Sequence, residues 1–324
     1  MDSLNLALIG AGGISRAHVA AAKASNGRVR IAAVVDMSEV ARKAVAESTG
    51  ARSYASADEF FAEQAKGKSV DAVMICTPPS VRLPIVRQAI ACGLHVFVEK
   101  PIASNTKDAQ ALVELAAANP KLVCAVGYCH RFTPAINEMK KRIDSGSLGN
   151  MLRFENTFAC WFPAMKEKWF SDPAVSGGGS FIDTGCHSLD LYQYLLGNAK
   201  VVATTLQHEW SGRGESTATV LMRGTTHKSA TAVIQSGWLE PARFIVTVVG
   251  TKGLLSYDYE KPAELQYKPS ESNPETLAVE THEVRFDKQL LGFADAIEGK
   301  KNQIAGFGEG LTVAKWVEDA LQAG

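Results

Sequence analysis

The opening stretch limits what this chain can become more than any other. Leu4 to Ile9 is a short apolar run, Gly10-Ala11-Gly12-Gly13 follows at once, and Ile14 through Ser25 reads as an Ala-rich helix. Strand, glycine turn and helix is the context in which a glycine fingerprint points to a dinucleotide. Gly10 permits a tight turn, and Gly12 lets the backbone approach a pyrophosphate seated on the helix N-terminus. Ser15 stands where a third glycine is usual and is small enough for close helix–strand packing. A second strand, Val29 to Val35, ends in Asp36, at the fingerprint's spacing of about 20 residues. Asp36 can accept hydrogen bonds from a ribose diol and repels a 2′-phosphate, which favours NAD over NADP.

Strand and helix patterns then alternate. Helices are expected over 38–49, 57–65 and 83–92, and strands over 52–54, 70–76, 95–98 and 123–127. Such units build a parallel sheet wrapped by helices, with ligands outside the carboxyl ends of the strands. The turn Thr77-Pro78-Pro79 and the tripeptide Glu99-Lys100-Pro101 both follow strands and belong at that edge. Gly10, Gly12, Gly13, Ile14, Asp36, Thr77, Pro78, Glu99 and Lys100 are therefore the candidate cofactor contacts. Lys100 reads either as a surface lysine paired with Glu99 or as a cation that polarises a substrate hydroxyl.

Farther on, Gly177-Gly178-Gly179 leads into a helical pattern in which Asp183 and His187 lie four residues apart and Asp190 three beyond. Residues at that spacing share a face. A carboxylate beside an imidazole suits proton transfer near neutral pH, because it fixes the ring's tautomer and stabilises its charged form. A solvated helix start with a core histidine fits the same residues. Cys186 reads as a buried small residue rather than a nucleophile.

Gly10-Ala11-Gly12, Asp36, Thr77-Pro78, the run Gly93 to Pro101 and the stretch Gly177 to Asp190 occur in this order and together resemble the Gfo/Idh/MocA family of NAD(P)-dependent sugar and polyol oxidoreductases. The resemblance covers nearly the whole chain, and its most specific parts are Glu99-Lys100-Pro101 and Asp183 to His187. It implies an N-terminal Rossmann domain with a doubly wound parallel sheet, followed by an α/β domain with a large, mostly antiparallel open sheet. Residues 1–128 would bind NAD(P), and residues 129–324 would bind substrate and oligomerise. The family's catalytic Lys, Asp and His match Lys100, Asp183 and His187. At two positions the chain departs from the pattern: Pro79 and Arg82 stand where Asn and His are usual. Arg82 reads as a solvated helix arginine.

In the second half, Tyr128 to Phe132 resembles a family segment at the domain junction, and His130 and Arg131 are read there as structural. A helix is expected from Pro134 to about Ser145, and strands over 151–158, 201–208, 217–222, 229–237, 243–249 and 254–257. Glu260 to Thr276 reads as a polar surface excursion, and 290–298 and 310–321 as closing helices. The irregular segment 159–176 mixes aromatic and charged residues. Trp161 and Lys168 are its candidate substrate contacts, since sugars stack on rings while hydrogen-bonding through their hydroxyls.

Composition narrows the partners. The 324 residues carry 34 Lys plus Arg against 34 Asp plus Glu, a net charge of zero, so no nucleic-acid or anionic-membrane partner is expected. No apolar run approaches membrane-spanning length. The start, Met1 to Asn5, lacks a basic segment followed by an apolar one, and the six cysteines lack CxxC spacing. A cytoplasmic protein with reduced thiols and no metal is the expectation.

The activity implied is hydride transfer between a secondary alcohol of a sugar, sugar derivative or cyclitol and NAD, by a homodimer or homotetramer. Two alternatives stay open at this point. One is an NAD-dependent glycosidase working through transient oxidation, and the other is a non-enzymatic sensor of NAD and sugar.

Overall fold

The computed structural model describes residues 3–227 and 230–324. Its first half follows the strand–helix alternation: β1 (Leu4–Ile9), α1 (Ser15–Ala24), β2 (Val29–Val35), α2 (Glu39–Thr49), β3 (Arg52–Tyr54), α3 (Ala57–Gln64), β4 (Ala72–Ile75), α4 (Arg82–Ala91), β5 (His95–Val98), α5 (Thr106–Ala118) and β6 (Cys124–Val126). Helix ends follow local chemistry. Ser38 and Ser56 accept backbone N–H bonds at the starts of α2 and α3, and Gly50 closes α2 at φ 71°. α5 has no counterpart among the sequence expectations.

The second half contains α6 (Pro134–Asp144), β7 (Met151–Trp161), the short α7 (Pro173–Ser176), α8 (Cys186–Leu196), β8 (Ala199–Gln207), β9 (Thr217–Gly224), β10 (Thr231–Gly237), β11 (Leu239–Gly250), β12 (Gly253–Asp258), β13 (Glu264–Pro269) and β14 (Glu275–Ala278). The chain closes with α9 (Arg285–Ile297), β15 (Ala305–Gly306) and α10 (Phe307–Ala323). Ser229, expected to open a strand, lies outside the described residues. The 260–276 stretch, expected as a polar surface excursion, lies at the surface but is not a loop throughout, for it supplies β13 and the start of β14. β13 alternates at period 2, Leu265 buried and Tyr267 and Pro269 half-buried between exposed Glu264, Gln266 and Lys268, but the alternation is short and set among polar residues.

The chain divides into two units that are not continuous in sequence. The first is Met1–Ala103, Lys107–Cys129 and Phe286–Leu311; the second is Ser104–Thr106, His130–Arg285 and Thr312–Gly324. The expected single break near residue 128 therefore misses the return of 286–311 to the first unit. Leu290, Phe293 and Ala294 of α9 join the apolar cluster built on β1 and β2, and this burial explains the return.

The seven-stranded sheet of the first unit has the order β15-β6-β5-β4-β1-β2-β3, parallel from β6 to β3 with β15 antiparallel at one edge. Its six parallel strands run in the Rossmann order, and the direction of winding switches between β1 and β4. In the second unit, eight strands lie in the order β14-β13-β12-β11-β7-β10-β9-β8; β7 and β10 pair in parallel and the remaining neighbours antiparallel. This is the α/β fold expected. None of the six cysteines forms a disulfide. Among the described residues no helix is long and apolar enough to cross a membrane.

Phe293 is fully buried and meets Phe97 edge-on at 5.5 Å. Phe293→Ala is expected to cost about 3–5 kcal/mol in chemical denaturation, the usual price of emptying a core aromatic site. A cost near zero would detach α9 from the first unit's core.

Candidate active site

In the first unit the candidate cofactor residues gather at the carboxyl ends of β1, β2, β4 and β5. Gly10 has φ 97°, and a Cβ there would lie 2.9 Å from the Cys76 carbonyl carbon, so the turn after β1 runs hard against the end of β4. Asp36 braces that turn: its Oδ2 accepts from the Ala11 N–H at 2.7 Å and its Oδ1 from the Ser38 N–H at 2.8 Å. Ser15 is fully buried at the start of α1, and its hydroxyl donates to the Gly12 carbonyl at 2.6 Å. Arg42 donates to the carbonyls of Asp36 and Met37 at 3.4 and 3.2 Å.

Three features fit a dinucleotide. No atom lies within 4 Å of where a Cβ would stand on Gly12 or Gly13, leaving an open cradle at the head of α1. The Thr77 hydroxyl oxygen is buried without a hydrogen-bond partner. Each Asp36 oxygen keeps acceptor capacity beyond the single N–H it binds.

Glu99 behaves differently from its neighbours on the candidate list. It is 4% exposed, and its Oε1 lies 2.7 Å from His18 Nε2 on α1 while its Oε2 accepts from the Lys100 N–H at 3.1 Å. Burial pushes this carboxyl up, but its interaction with His18 and the charges of Lys100 and Arg82 outweigh burial and hold it below the ordinary range. The side chain thus serves the protein's interior. Lys100, joined to Pro101 by a cis peptide, is half-buried. Arg82 is not a solvated helix residue: it is 2% exposed and donates to the Thr77 carbonyl from Nε at 2.9 Å and from Nη2 at 2.7 Å. Its Nη1 also donates to the carbonyls of Glu99 and Pro101.

In the second unit the triple glycine ends in a close crossing of two backbone stretches. A Cβ on Gly179 would stand 2.1 Å from the Glu215 carbonyl oxygen, and one on Gly214 would stand 2.5 Å from Gly178. Ser180 N–H donates to the Glu215 carbonyl, and Phe181 N–H to the Glu215 side chain, both at 2.8 Å. The buried Glu215 carboxylate therefore caps the segment that follows. Burial pushes its pKa up against the backbone N–H bonds that pull it down. The segment opens as a π-turn over Phe181–Gly185 and only then becomes α8. Apolar periodicity predicts an unbroken α-helix here; π-turns of this kind recur at functional sites.

Asp183 is 9% exposed and accepts from the Trp238 indole N–H at 3.3 Å. The end of β7 lies beside it, since burial and then the Asp183 charge push the Cys160 thiol up. His187, 7% exposed, meets the His130 ring edge-on at 4.6 Å and the Phe158 ring at 5.8 Å. His130 shares a hydrogen bond of 2.8 Å between Nδ1 and the Tyr259 hydroxyl. Asp190, on the same stripe by spacing, is buried with a charged partner of its own. It is held by Arg131 through Nε at 2.9 and 3.0 Å and Nη2 at 2.6 Å, a buried pair roofed by Tyr194.

Trp161 ends β7 and is 67% exposed, and Lys168 is exposed between two short 3-10 turns. The backbone after Trp161 is tied toward Asp183 through one residue, because Phe162 N–H donates to the Trp238 carbonyl at 2.8 Å. Sequence reasoning missed Trp238, Glu215 and His18, and misjudged Arg82. Each meets at least one partner 17 or more residues away in the chain, where no local spacing rule reaches.

Comparison with known proteins agrees with this geometry. Residues 4–128 match the model of an oxidoreductase family with an NAD-binding Rossmann fold, GFO/IDH/MocA, and residues 136–256 match the GFO/IDH/MocA C-terminal domain. The chain is 30% identical over 226 residues to the rhizopine catabolism protein MocA of Rhizobium meliloti, covering 68% of each chain. The chain belongs to the Gfo/Idh/MocA family. Its first unit is accordingly an NAD-binding Rossmann domain. It is also 26% identical over 305 residues to a levoglucosan dehydrogenase of Pseudarthrobacter phenanthrenivorans, covering 82% of this chain and 76% of that one. The fold matches that of an inositol dehydrogenase homolog from Azotobacter vinelandii solved with NAD+, with a TM-score of 0.89, 22% identity, and 99% and 95% coverage.

Two predictions follow from the first unit's geometry. Gly10→Ala places a Cβ against backbone in a left-handed turn and is expected to lower the melting temperature, whereas Gly12→Ala should leave melting near wild type and weaken NADH binding in a fluorescence titration. Equal melting losses in both would refute the open cradle. For pH, Glu99 has a folded pKa below its unfolded one, so its stabilising contribution is complete above the unfolded value of about 4.3 and is lost as pH falls through the folded value. Glu99→Gln should lose stability at neutral pH and show a flatter decline on acidification than wild type; parallel acid limbs would contradict this.

Proposed function

We propose that this chain is an NAD-dependent dehydrogenase that oxidises a secondary alcohol of a sugar, sugar derivative or cyclitol. The observation that carries the proposal is the placement, four residues apart on one π-turn and helix, of a buried Asp183 carboxylate and a buried His187 imidazole in a chain of this oxidoreductase family. His187 takes the hydroxyl proton as general base. Asp183, oriented by Trp238, holds His187 or a neighbouring substrate hydroxyl. Lys100 binds the reacting oxygen and stabilises the negative charge that develops on it. A bound nicotinamide supplies the hydride acceptor, so the alcohol gives up its C–H and O–H and becomes a carbonyl. Asp36 disfavours a 2′-phosphate and makes NAD the preferred dinucleotide.

Several finer assignments belong to the same proposal. The first unit holds the cofactor through Gly10, Gly12, Gly13, Ile14, Thr77 and Pro78, and the second unit binds substrate, with Trp161 and Lys168 as contacts. Glu99 supports the Lys100 backbone rather than touching the dinucleotide. Leu152, Val202 and Leu221 are large apolar residues exposed on the second unit's strands, which supports a homodimer or homotetramer. A cytoplasmic setting fits six cysteines without a disulfide.

The test is a panel of sugars, sugar acids, inositols and nucleotide sugars with NAD+ and NADP+ side by side, following reduced nicotinamide by absorbance. Net reduction of NAD+ in preference to NADP+ is expected with at least one substrate. His187→Ala should lower its turnover by about 10²–10⁴, the usual worth of a general base, while NADH binding stays near wild type. Silence across the panel with NAD carried tightly through purification would instead favour a glycosidase, and wild-type turnover in His187→Ala would sink the assignment.

A further inference from the structure

Arg82 stands where the family pattern has a histidine, and the structure gives it work a histidine cannot do. A neutral imidazole has one N–H and a protonated one has two, whereas a guanidinium offers five in a rigid plane. Arg82 spends four contacts on three carbonyls. Two reach Thr77, at the carboxyl end of β4, and the others reach Glu99 and Pro101, the residues on either side of Lys100 beyond the end of β5. The side chain is 2% exposed, so its charge has been taken out of water, a cost that only well-aimed acceptors offset. The Lys100 N–H is fixed in turn by Glu99 Oε2. Backbone carbonyls on both flanks and the amide between them are thus all held, while the Lys100 side chain stays half-exposed at the strand edge.

We propose that Arg82 is the positioning residue for Lys100: its guanidinium locks the Glu99–Pro101 backbone to the Thr77 turn and so fixes where the Lys100 ammonium is presented. The consequence for catalysis rests on the role proposed above for Lys100; the clamp itself does not. A lysine at position 82 would keep the charge but lose the fork, and a glutamine would lose both the charge and most donors. Small displacements of a catalytic group are costly, because orientation carries much of an enzyme's advantage.

The experiment is hydrogen–deuterium exchange by mass spectrometry on full-length wild type, Arg82→Gln and Arg82→Lys, with melting curves alongside. Exchange is expected to rise by about tenfold or more in peptides spanning 77–82 and 99–104 of Arg82→Gln, and less in Arg82→Lys, with β1, β2 and the second unit unchanged. Unchanged exchange in those two peptides, or a rise spread across the first unit, would overturn the proposal. Turnover of the panel substrate supplies the readout that a general packing role would not move. Arg82→Gln should lower kcat by about tenfold or more with the KM for NAD+ little changed, and should add almost nothing on a Lys100→Ala background. Equal losses in both backgrounds would show that Arg82 does not act through Lys100. Wild-type turnover in Lys100→Ala would defeat the catalytic reading of Lys100 alone, leaving the exchange result to decide the clamp.

Discussion

A carboxylate removed from water has to be matched, and the first unit is built around matching one. Glu99 follows the last residue of β5 and is buried against His18 of α1 and the Lys100 N–H. That bond holds the helix behind the glycine turn to the end of a strand two places across the sheet. Arg82 lies in the same charge cluster and joins the Thr77 turn to it. The cradle at Gly12, the buried Thr77 hydroxyl and the exposed part of Lys100 therefore owe their relative placement to one network of buried charge. Such a network stabilises only when every member is satisfied, which makes it sensitive to single replacements.

The second unit solves a related problem with steric rather than electrostatic means. Gly179 and Gly214 let two stretches of backbone cross closer than any side chain would allow. The crossing delivers Glu215 to the Phe181 N–H and sets the start of the π-turn that carries Asp183. Trp238, at the end of β10, then fixes the Asp183 carboxylate, and His130 and Phe158 enclose the His187 ring. Segments far apart in sequence thus decide the setting of two residues only four positions apart.

Much of this was legible from residues alone, and the reasons for the remainder are physical. The strand–glycine–helix opening and Asp36 are local patterns, and the sheet order realises them at the switch between β1 and β4, where such folds bind ligands. Spacing alone left Asp183 and His187 undecided between a solvated helix start and an acid–base pair; family resemblance was what favoured the pair. Spacing also drew Asp190 to the same stripe, but the buried Arg131, 59 residues away, claims it. Arg82 looked solvated because helical charge usually is, and its three carbonyl partners leave no trace in composition. β13 does alternate at period 2, but over six residues with a single fully buried side chain, too short a signal to stand out from the polar, proline-containing stretch around it.

The central claim is that hydride leaves a secondary carbinol carbon for NAD in a net oxidation assisted by His187. It is tested most directly with a panel substrate deuterated at that carbon, following the label into the dinucleotide by mass spectrometry. The account predicts one deuterium in each NADH formed, accumulating in step with the ketone. Unlabelled NADH, or deuterium returned to a cleaved sugar with no net NADH, would contradict it.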